Sequence, residues 1–277
     1  MAELNQRLQE IESKAQSKAN RPTEIGRFDS AEQSSNSYID AVVISHEFTD
    51  HCNKRTLLEL ATDVPIFATK RAAHLIRSWK HFHLVHEIAS SSTEGFDWRK
   101  ASYHPLPSWL GISQIVSHKD VLNYHSAILL AFNVSQADSL RSYEVSLPAE
   151  GIIYTPHGIH AADIEYLPTA VPPIQTLVLL HGLHDIKISM RKLNLGAHNG
   201  LKAQRLCQAK YWVSTHDEIK RASGLITPWL CRNPLTLREA LDEESKAGHE
   251  VGDQSGLVDL QEITFSELLS GESLLLV

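Results

Sequence analysis

The chain has 277 residues and a formal net charge of −7, with 42% hydrophobic and 21% charged residues. This length is enough to bury a sizeable core, and the composition is ordinary for a globular protein. The negative charge argues against a nucleic-acid-binding surface, which needs clustered lysines and arginines. No apolar run approaches the roughly 20 residues of a membrane span. We therefore expect neither nucleic acid nor a membrane among the partners of this protein.

The cysteines and the first residues indicate a cellular compartment. Cys52, Cys207 and Cys231 are odd in number and too widely spaced for a disulfide framework or a cysteine-based zinc motif. The opening MAELNQRLQEIESK is polar and charged, unlike a secretory signal. Both features favour a reducing, cytoplasmic location. The unusual count is that of histidine, at 16 residues.

The apolar pattern predicts a mixed α/β protein. Residues 1–20 have helical composition, and a polar, turn-rich linker follows to residue 37. Three short strands are predicted in YIDAVVIS, VPIFAT and HLVHEI. Between them, NKRTLLELA and KRAAHLIRSWKHF have helical patterns, and the second should turn Ala73, Ile76 and Trp79 inward. This β-α-β-α-β order is typical of a partly parallel sheet with right-handed crossovers.

The middle of the chain is richer in strands. ISQIVSH, SAILLAFNV, GIIYTP and TLVLLH are apolar runs separated by turn signals, and GAHNGLKAQRLCQAK is a predicted helix that leads into the strand YWVSTH. A late helix, TLREALDEESKAG, and a short strand, LVDL, complete the pattern. We find no internal repeat. The sequence therefore predicts an N-terminal helix and linker at 1–37 and one α/β domain at 38–277.

Histidines gather beside these predicted strands. Loops at strand ends converge on one edge of a sheet, which is where α/β proteins build their sites. One histidine in such a place is more often a packing residue than a ligand, but the whole set favours a shared site. Histidine is also the commonest side-chain metal ligand. The set comprises His46, His51, His125, His157, His181, His184 and His216.

The ordered motifs resemble a known family. DAVVISHEFTDHCNKRTL resembles the metallo-β-lactamase superfamily signature, in which a hydrophobic strand runs into H-x-H-x-D-H. The segments SHEFTDH, YTPHGI, LLHGLHD, LNLGAHNGL and YWVSTHDE together resemble a fungal branch related to the UlaG-like lactonases, over roughly residues 38–235. The resemblance implies an αββα sandwich. In the superfamily, several strands precede the first motif. The pattern of residues 1–37 does not predict strands. Either the first sheet is incomplete, or other segments cover it, or this chain lacks a piece that its relatives carry. An uncovered core face would be a candidate homo-oligomer interface.

The resemblance also implies two metal sites, of which the first is damaged in this chain. Its ligands would be His46, the residue at position 48 and His125. Phe48 stands where the family has a histidine, so the motif is a degenerate H-x-F-x-D-H. A phenyl ring cannot coordinate a metal, so this site keeps two protein ligands and should be weak.

The second implied site is complete. Its ligands would be Asp50, His51 and His216, and three nitrogen or oxygen ligands with an open position suit a catalytic metal. The position of the metal-bridging aspartate corresponds to His157, which could be a fourth ligand or a general base. We therefore expect one metal ion per chain, Zn²⁺ or Mn²⁺.

These residues lead to one main functional hypothesis and two alternatives. The main one is a hydrolase that uses a water activated by one metal to cleave a small ester, lactone or thioester, with Asp50, His157 and His184 as the catalytic candidates. Asp185 could orient either His181 or His184, and Asp217 could support His216. The first alternative is a catalytically degenerate member of the fold that acts as a binding or interaction module. The second is a lyase or cyclase that uses metal-free acid–base chemistry.

Overall fold

The computed structural model describes residues 2–19, 38–91, 96–117, 120, 124–133, 148–218, 229–251 and 264–276. The chain divides into two compact units. The first unit comprises residues 1–89, 103–107 and 268–277, and the second comprises residues 90–102 and 108–267. The predicted mixed α/β class is confirmed. The predicted linker and the strand LVDL lie outside the described residues.

The first unit contains a small parallel sheet with helices between its strands. Its strands are ordered β1-β2-β3, and both neighbouring pairs are parallel, which confirms the predicted β-α-β-α-β order. Its elements are α1 (Ala2–Ala19), β1 (Val42–Ile44), α2 (Lys54–Leu57), β2 (Ile66–Ala68), α3 (Lys70–Ser78) and β3 (Val85–Glu87).

The central strand and one face of α3 form the core of this unit. All three residues of β2 are fully buried, as expected for a strand with a neighbour on each side. On α3, Ala73 and Ile76 are buried as predicted, and Trp79 packs at the edge of the same cluster. Asn53 caps α2, because its side-chain oxygen accepts a hydrogen bond from the Thr56 amide at 3.2 Å. The loop from β1 to α2, which carries the histidine motif, therefore lies between two fixed elements.

The second unit is built on a seven-stranded mixed sheet. The strand order is β13-β11-β8-β7-β6-β5-β4, in which β5, β6 and β7 form an antiparallel meander and β7, β8, β11 and β13 are parallel. The strands are β4 (Ser90–Ser91), β5 (Leu110–Ile115), β6 (Ala127–Phe132), β7 (Ala149–Thr155), β8 (Ile174–His181), β11 (Tyr211–Ser214) and β13 (Thr264–Glu267).

The register of the parallel strands brings three loops to one edge of this sheet. Thr155 at the end of β7 pairs with His181 at the end of β8. Val213 of β11 pairs with Leu180, so Ser214 ends its strand at the same level. The segments that follow these three strands therefore leave from neighbouring points, and they carry His157, His160, His184 and His216.

Two helices cover part of the sheet. They are α4 (Ala197–Cys207) and α5 (Leu237–Val251). Leu201 of α4 and Ala240 of α5 are fully buried in one cluster with Trp212 of β11. The carboxylate of Glu244 on α5 also accepts a hydrogen bond from Arg205 on α4 at 2.8 Å. Among the described residues, no helix is both long and apolar enough to cross a membrane.

A second, smaller sheet was not predicted from the sequence. Its strands are β9 (Asp185–Ile188), β10 (Arg191–Asn194) and β12 (Leu230–Asn233), and they pair antiparallel in the order β10-β9-β12. Each strand has four residues and carries charges, so none forms the apolar run that marks a buried strand. We call residues 185–194 and 229–233 the ribbon.

Candidate metal centre

In the first unit, the residue at the missing-ligand position packs against the first histidine of the motif. The ring of Phe48 stacks on that of His46, with centroids 5.6 Å apart and planes inclined by 13°. His46 is buried, whereas Phe48 is 39% exposed. The Phe48 carbonyl accepts hydrogen bonds from the amides of His51 (2.9 Å) and Cys52 (2.6 Å). Position 48 therefore closes the turn of the motif and covers His46.

The other members of the motif lie in the same turn. The ring centroids of His46 and His51 are 5.5 Å apart. The Nε2 atom of His51 lies 3.6 Å from an Asp50 carboxylate oxygen, which is near but beyond good hydrogen-bond length. The His51 side chain is 5% exposed and that of Asp50 is 44% exposed. Asp50, His51 and His46 are thus brought together at the end of β1.

In the second unit, two of the predicted ligands converge. His157 follows β7 and His216 follows β11, on strands separated only by β8. A ring nitrogen of His157 and one of His216 lie within 4.8 Å of each other, and the ring centroids are 5.5 Å apart. His157 is 4% exposed. Residues 59 positions apart in the chain are therefore close enough to share one metal ion.

The orientation of His157 is fixed from several sides. Its Nδ1 lies 3.1 Å from the side-chain oxygen of Asn194, the last residue of β10. The Tyr124 ring stacks on the imidazole, with centroids 4.3 Å apart and planes inclined by 19°. The Nδ1–H group donates to the side-chain oxygen of Asn194, so the ring lone pair lies on Nε2. This arrangement is usual for metal-bound histidines. The sequence did not single out Tyr124 or Asn194, because neither role has a local signature.

His125 supports the backbone of the same loop. Its Nδ1 lies 3.1 Å from the His157 carbonyl oxygen, and its own amide donates to an Asp120 carboxylate oxygen at 2.6 Å. Burial is the largest influence on the ring and lowers the pKa of His125, while the hydrogen bond to the His157 carbonyl opposes this shift. Burial therefore favours the neutral form of this ring. Its predicted role as a metal ligand stays a prediction.

A carboxylate holds the backbone beside His216. His216 has φ = +66°, in the left-handed region that few residues other than glycine and asparagine adopt readily. The neighbouring Asp217 accepts hydrogen bonds from the amides of Leu183 (2.8 Å) and His184 (2.9 Å) and from the Ser214 hydroxyl (2.5 Å). We call this set of hydrogen bonds the Asp217 clasp. It joins the loops after β8 and β11 directly beside His216.

The remaining candidates of the LLHGLHD segment take different positions. The Nδ1 of His184 lies 3.7 Å from the Asp217 carboxylate, too far for a hydrogen bond but close enough for an electrostatic contact. His181 is fully buried, with Nε2 3.0 Å from the Asn199 side-chain oxygen and Nδ1 2.6 Å from the Gly182 carbonyl oxygen. Desolvation lowers the pKa of His181. His181 is therefore a packing residue.

Asp185 does not orient His184, contrary to the expectation from the sequence. Its carboxylate accepts a hydrogen bond from the Gly196 amide at 2.9 Å and lies 3.4 Å from the Lys192 ammonium. A Cβ atom added at Gly196 would lie 2.6 Å from the Asp185 amide nitrogen. The glycine and the carboxylate together fix the start of α4 against the loop after β8. The local backbone geometry explains why a glycine stands at position 196 and an aspartate at position 185.

Comparison with known proteins gives only distant matches. No protein-family model matches the sequence, and no curated protein matches it significantly. Similar solved structures include an isothiocyanate hydrolase from Delia radicum gut bacteria, with 16% identity, TM-score 0.46, and coverage of 82% of this chain and 75% of that chain. A possible metal-dependent hydrolase from Veillonella parvula has 13% identity, TM-score 0.47, and coverage of 84% and 74%. Igni18, a metallo hydrolase from Ignicoccus hospitalis, has 13% identity, TM-score 0.48, and coverage of 84% and 77%. At these values the likeness assigns no activity to this chain.

Proposed function

We propose that this protein is a metal-dependent hydrolase of the metallo-β-lactamase type. The substrate would be a small cytoplasmic ester, lactone or thioester, and each chain would bind one Zn²⁺ or Mn²⁺ ion. The observation that carries the proposal is the pair of ring nitrogens of His157 and His216, within 4.8 Å of each other at the carboxyl ends of parallel strands. Such an edge is where α/β proteins place catalytic groups.

The donor atoms of the second unit suit such a metal. Two imidazole nitrogens are donors that suit Zn²⁺, and an added carboxylate such as that of Asp50 would suit Mn²⁺. The Asn194 side chain holds His157 with its lone pair on Nε2, and the Asp217 clasp fixes the backbone beside His216. Supporting hydrogen bonds of this kind orient the ligands at metal sites. The family resemblance assigns the remaining ligands to Asp50 and His51, and it assigns His46 and His125 to a weaker first site.

The side chains have distinct roles in this proposal. A bound divalent ion would supply Lewis acidity toward the scissile carbonyl and lower the pKa of a water molecule. His157 and His216 would hold the ion, and the burial of His157 would limit competition from bulk water. His184 would move the proton to the leaving group, with the Asp217 carboxylate 3.7 Å away to stabilise the imidazolium that results. Tyr124 would keep the His157 ring in its plane.

Phe48 supports a second candidate, a module of the same fold that binds without turnover. The aromatic stack of Phe48 on His46 gives position 48 a packing role in place of a ligand role. In this reading the histidine cluster would bind a metal or an anionic small molecule, and no chemical step would follow. The two candidates differ in turnover, so assays can separate them.

Metal analysis of purified variants tests the proposal. Elemental analysis of the parent protein, reconstituted with Zn²⁺ or Mn²⁺, should find about one ion per chain. His216→Asn should abolish binding with the fold intact, because asparagine tolerates the left-handed conformation of position 216 better than most residues. Asp50→Ala and His157→Gln should also lose the metal. The control is His74→Asn, an exposed histidine of α3.

The outcomes separate the candidates. A parent protein without metal after reconstitution would refute the proposed centre. A parent protein with metal would next be assayed on a panel of lactones, aryl esters and acyl thioesters. Turnover that disappears in His216→Asn and persists in His74→Asn supports the hydrolase. Metal binding without turnover on the whole panel favours the binding module.

A further inference from the structure

Large apolar side chains project from one end of the ribbon. Met190 is 94% exposed, Trp229 is 66% exposed and Leu230 is 37% exposed. Leu230 pairs with Ile188, which also pairs with Arg191, so these three residues form the last row of the ribbon. Met190 lies in the turn just beyond that row. The most exposed apolar side chains of the second unit's β-structure therefore share one tip.

The turn at this tip is not built from the residues that hairpins favour. Two residues, Ser189 and Met190, connect β9 to β10, and Ser189 has φ = +53°. Two-residue hairpin turns strongly prefer glycine, asparagine or aspartate at positions with positive φ. The chain instead places a serine there and a methionine at the outermost point. The folding of this hairpin does not require an exposed methionine at this position.

The tip is surrounded by positive charge. The three strands of the ribbon carry four basic residues and one acidic residue, although the whole chain has a net charge of −7. The single acid, Asp185, lies 3.4 Å from the Lys192 ammonium and also binds the Gly196 amide. The basic residues are Lys187, Arg191, Lys192 and Arg232. The ribbon therefore combines an apolar tip with basic side chains, although the protein as a whole is acidic.

We propose that the ribbon docks this protein onto anionic lipid surfaces. Met190 and Trp229 would enter the interfacial layer of the bilayer, and the basic side chains would contact acidic headgroups. Tryptophan prefers this layer, and each lysine or arginine near an anionic membrane strengthens binding about fivefold. A standard protein interface needs about 20–30 residues on each side, far more than this tip offers. The sequence analysis predicted no membrane partner because no apolar run is long enough to span a bilayer, and the docking proposal departs from that prediction.

The ribbon also connects this surface to the candidate metal centre. It begins at Asp185, directly after His184, and its second strand ends at Asn194, which binds the His157 ring. His184 and the residue that binds His157 therefore lie at the end of the ribbon opposite the tip, one strand length from the docked lipid surface. The docking proposal itself does not depend on hydrolysis, so it can be tested without an activity assay.

The experiment measures binding of the full chain to vesicles by co-sedimentation. Vesicles of phosphatidylcholine alone are compared with vesicles that also contain phosphatidylserine, each at low and high salt. We expect binding only with phosphatidylserine and weaker binding in high salt. Trp229 is more exposed than the buried Trp98 and Trp212, so its fluorescence should shift to the blue on binding.

Three variants test the role of the tip. Ser189→Gly combined with Met190→Ser places glycine at the residue with positive φ, as type II′ hairpin turns prefer, so it should keep or stabilise the ribbon while vesicle binding falls at least fivefold. Trp229→Ser should lose both binding and the fluorescence shift. Val171→Ser is the matched control, because Val171 is apolar, 74% exposed and outside the ribbon. It should bind like the parent protein.

Three results would overturn the proposal. The first is no binding to phosphatidylserine vesicles at low salt. The second is binding that the double turn variant leaves unchanged. The third is self-association in solution that the same variants abolish while vesicles are not bound, since the tip would then be a contact between copies of this chain.

Discussion

The Asp217 clasp predicts that one carboxylate stabilises both the fold of the second unit and the position of His216. Asp217→Ala would leave the Leu183 and His184 amides and the Ser214 hydroxyl without their acceptor. A donor stranded in a partly buried place costs about 1–3 kcal/mol. The Asp217 side chain is 18% exposed, so water would replace part of this interaction. We therefore expect a loss of roughly 2–4 kcal/mol from the free energy of unfolding.

Urea unfolding, followed by circular dichroism and tryptophan fluorescence, measures this loss. For a unit of this size, 2–4 kcal/mol corresponds to a fall in Tm of roughly 5–15 °C. Asp217→Asn should lie between the parent protein and Asp217→Ala, because asparagine keeps one acceptor oxygen and introduces a donor that faces the amides. Glu218→Gln is the matched control, since it changes the neighbouring carboxylate outside the clasp. It should unfold within about 0.5 kcal/mol of the parent protein.

A second readout concerns His216 itself. Without the clasp, the left-handed backbone at position 216 loses its support, and the residue should relax toward an ordinary conformation. Nuclear magnetic resonance of labelled histidine should then show a changed His216 ring signal in Asp217→Ala and an unchanged one in Glu218→Gln. If Asp217→Ala unfolds like the parent protein and the His216 signal stays in place, the clasp does not have the role inferred here.

Three further predictions concern the buried parts of the second unit. Gly200→Ala should lower Tm despite the better helix propensity of alanine, because the new Cβ would lie 2.6 Å from a Trp212 ring carbon; a raised Tm would contradict this close contact. Burial lowers the pKa of His181, so its ring stays neutral in the folded protein while the unfolded ring takes up a proton below about pH 6.5. The contribution of His181 to the free energy of unfolding should therefore be fully present above that pH. It should decline below it until the pH reaches the pKa of His181 in the folded protein. Urea unfolding of His181→Gln across this range should show a smaller decline. Burial raises the pKa of Cys207 to about 11, so iodoacetamide should modify the exposed Cys231 first, as mass spectrometry of the native protein can show.

The elements with strong apolar runs could be predicted from the sequence. The parallel sheet of the first unit follows from three short β-branched runs separated by helical patterns, and β2 in particular reads directly as a buried strand. The strands of the meander, β5 to β7, are equally apolar. These elements depend on local composition and on burial from both faces, and a single sequence records both.

The strands of the ribbon and β13 were not predicted, because they lack strong apolar runs. The strands of the ribbon, DIKI, RKLN and LCRN, are short, half exposed and charged, so neither periodicity nor hydrophobicity separates them from loops. Their pairing depends on the turn at Ser189 and on β12, which lies more than 35 residues further along the chain. Predicting such strands requires knowledge of long-range pairing, which a single sequence does not supply.

In the candidate site, the sequence likewise indicated some residues and not others. The histidines that follow strands were identifiable, and His157 and His216 do converge. The groups that hold them, Asn194 and Asp217, act through hydrogen bonds to residues more than 30 positions away. The positive φ of His216 also has no signal in the sequence, because neither glycine nor asparagine stands at this position.

The stack of Phe48 on His46 has a consequence for how metal number could change during evolution. The two rings are nearly parallel and 5.6 Å apart, and the Phe48 carbonyl, independently of its side chain, closes the turn that presents Asp50 and His51. The side chain at position 48 can therefore change while the backbone of the motif stays the same. A single exchange of phenylalanine for histidine would add a nitrogen donor beside an existing one, without a new loop or a new strand. In this turn, the exchange of one side chain is enough to change the number of candidate donor atoms.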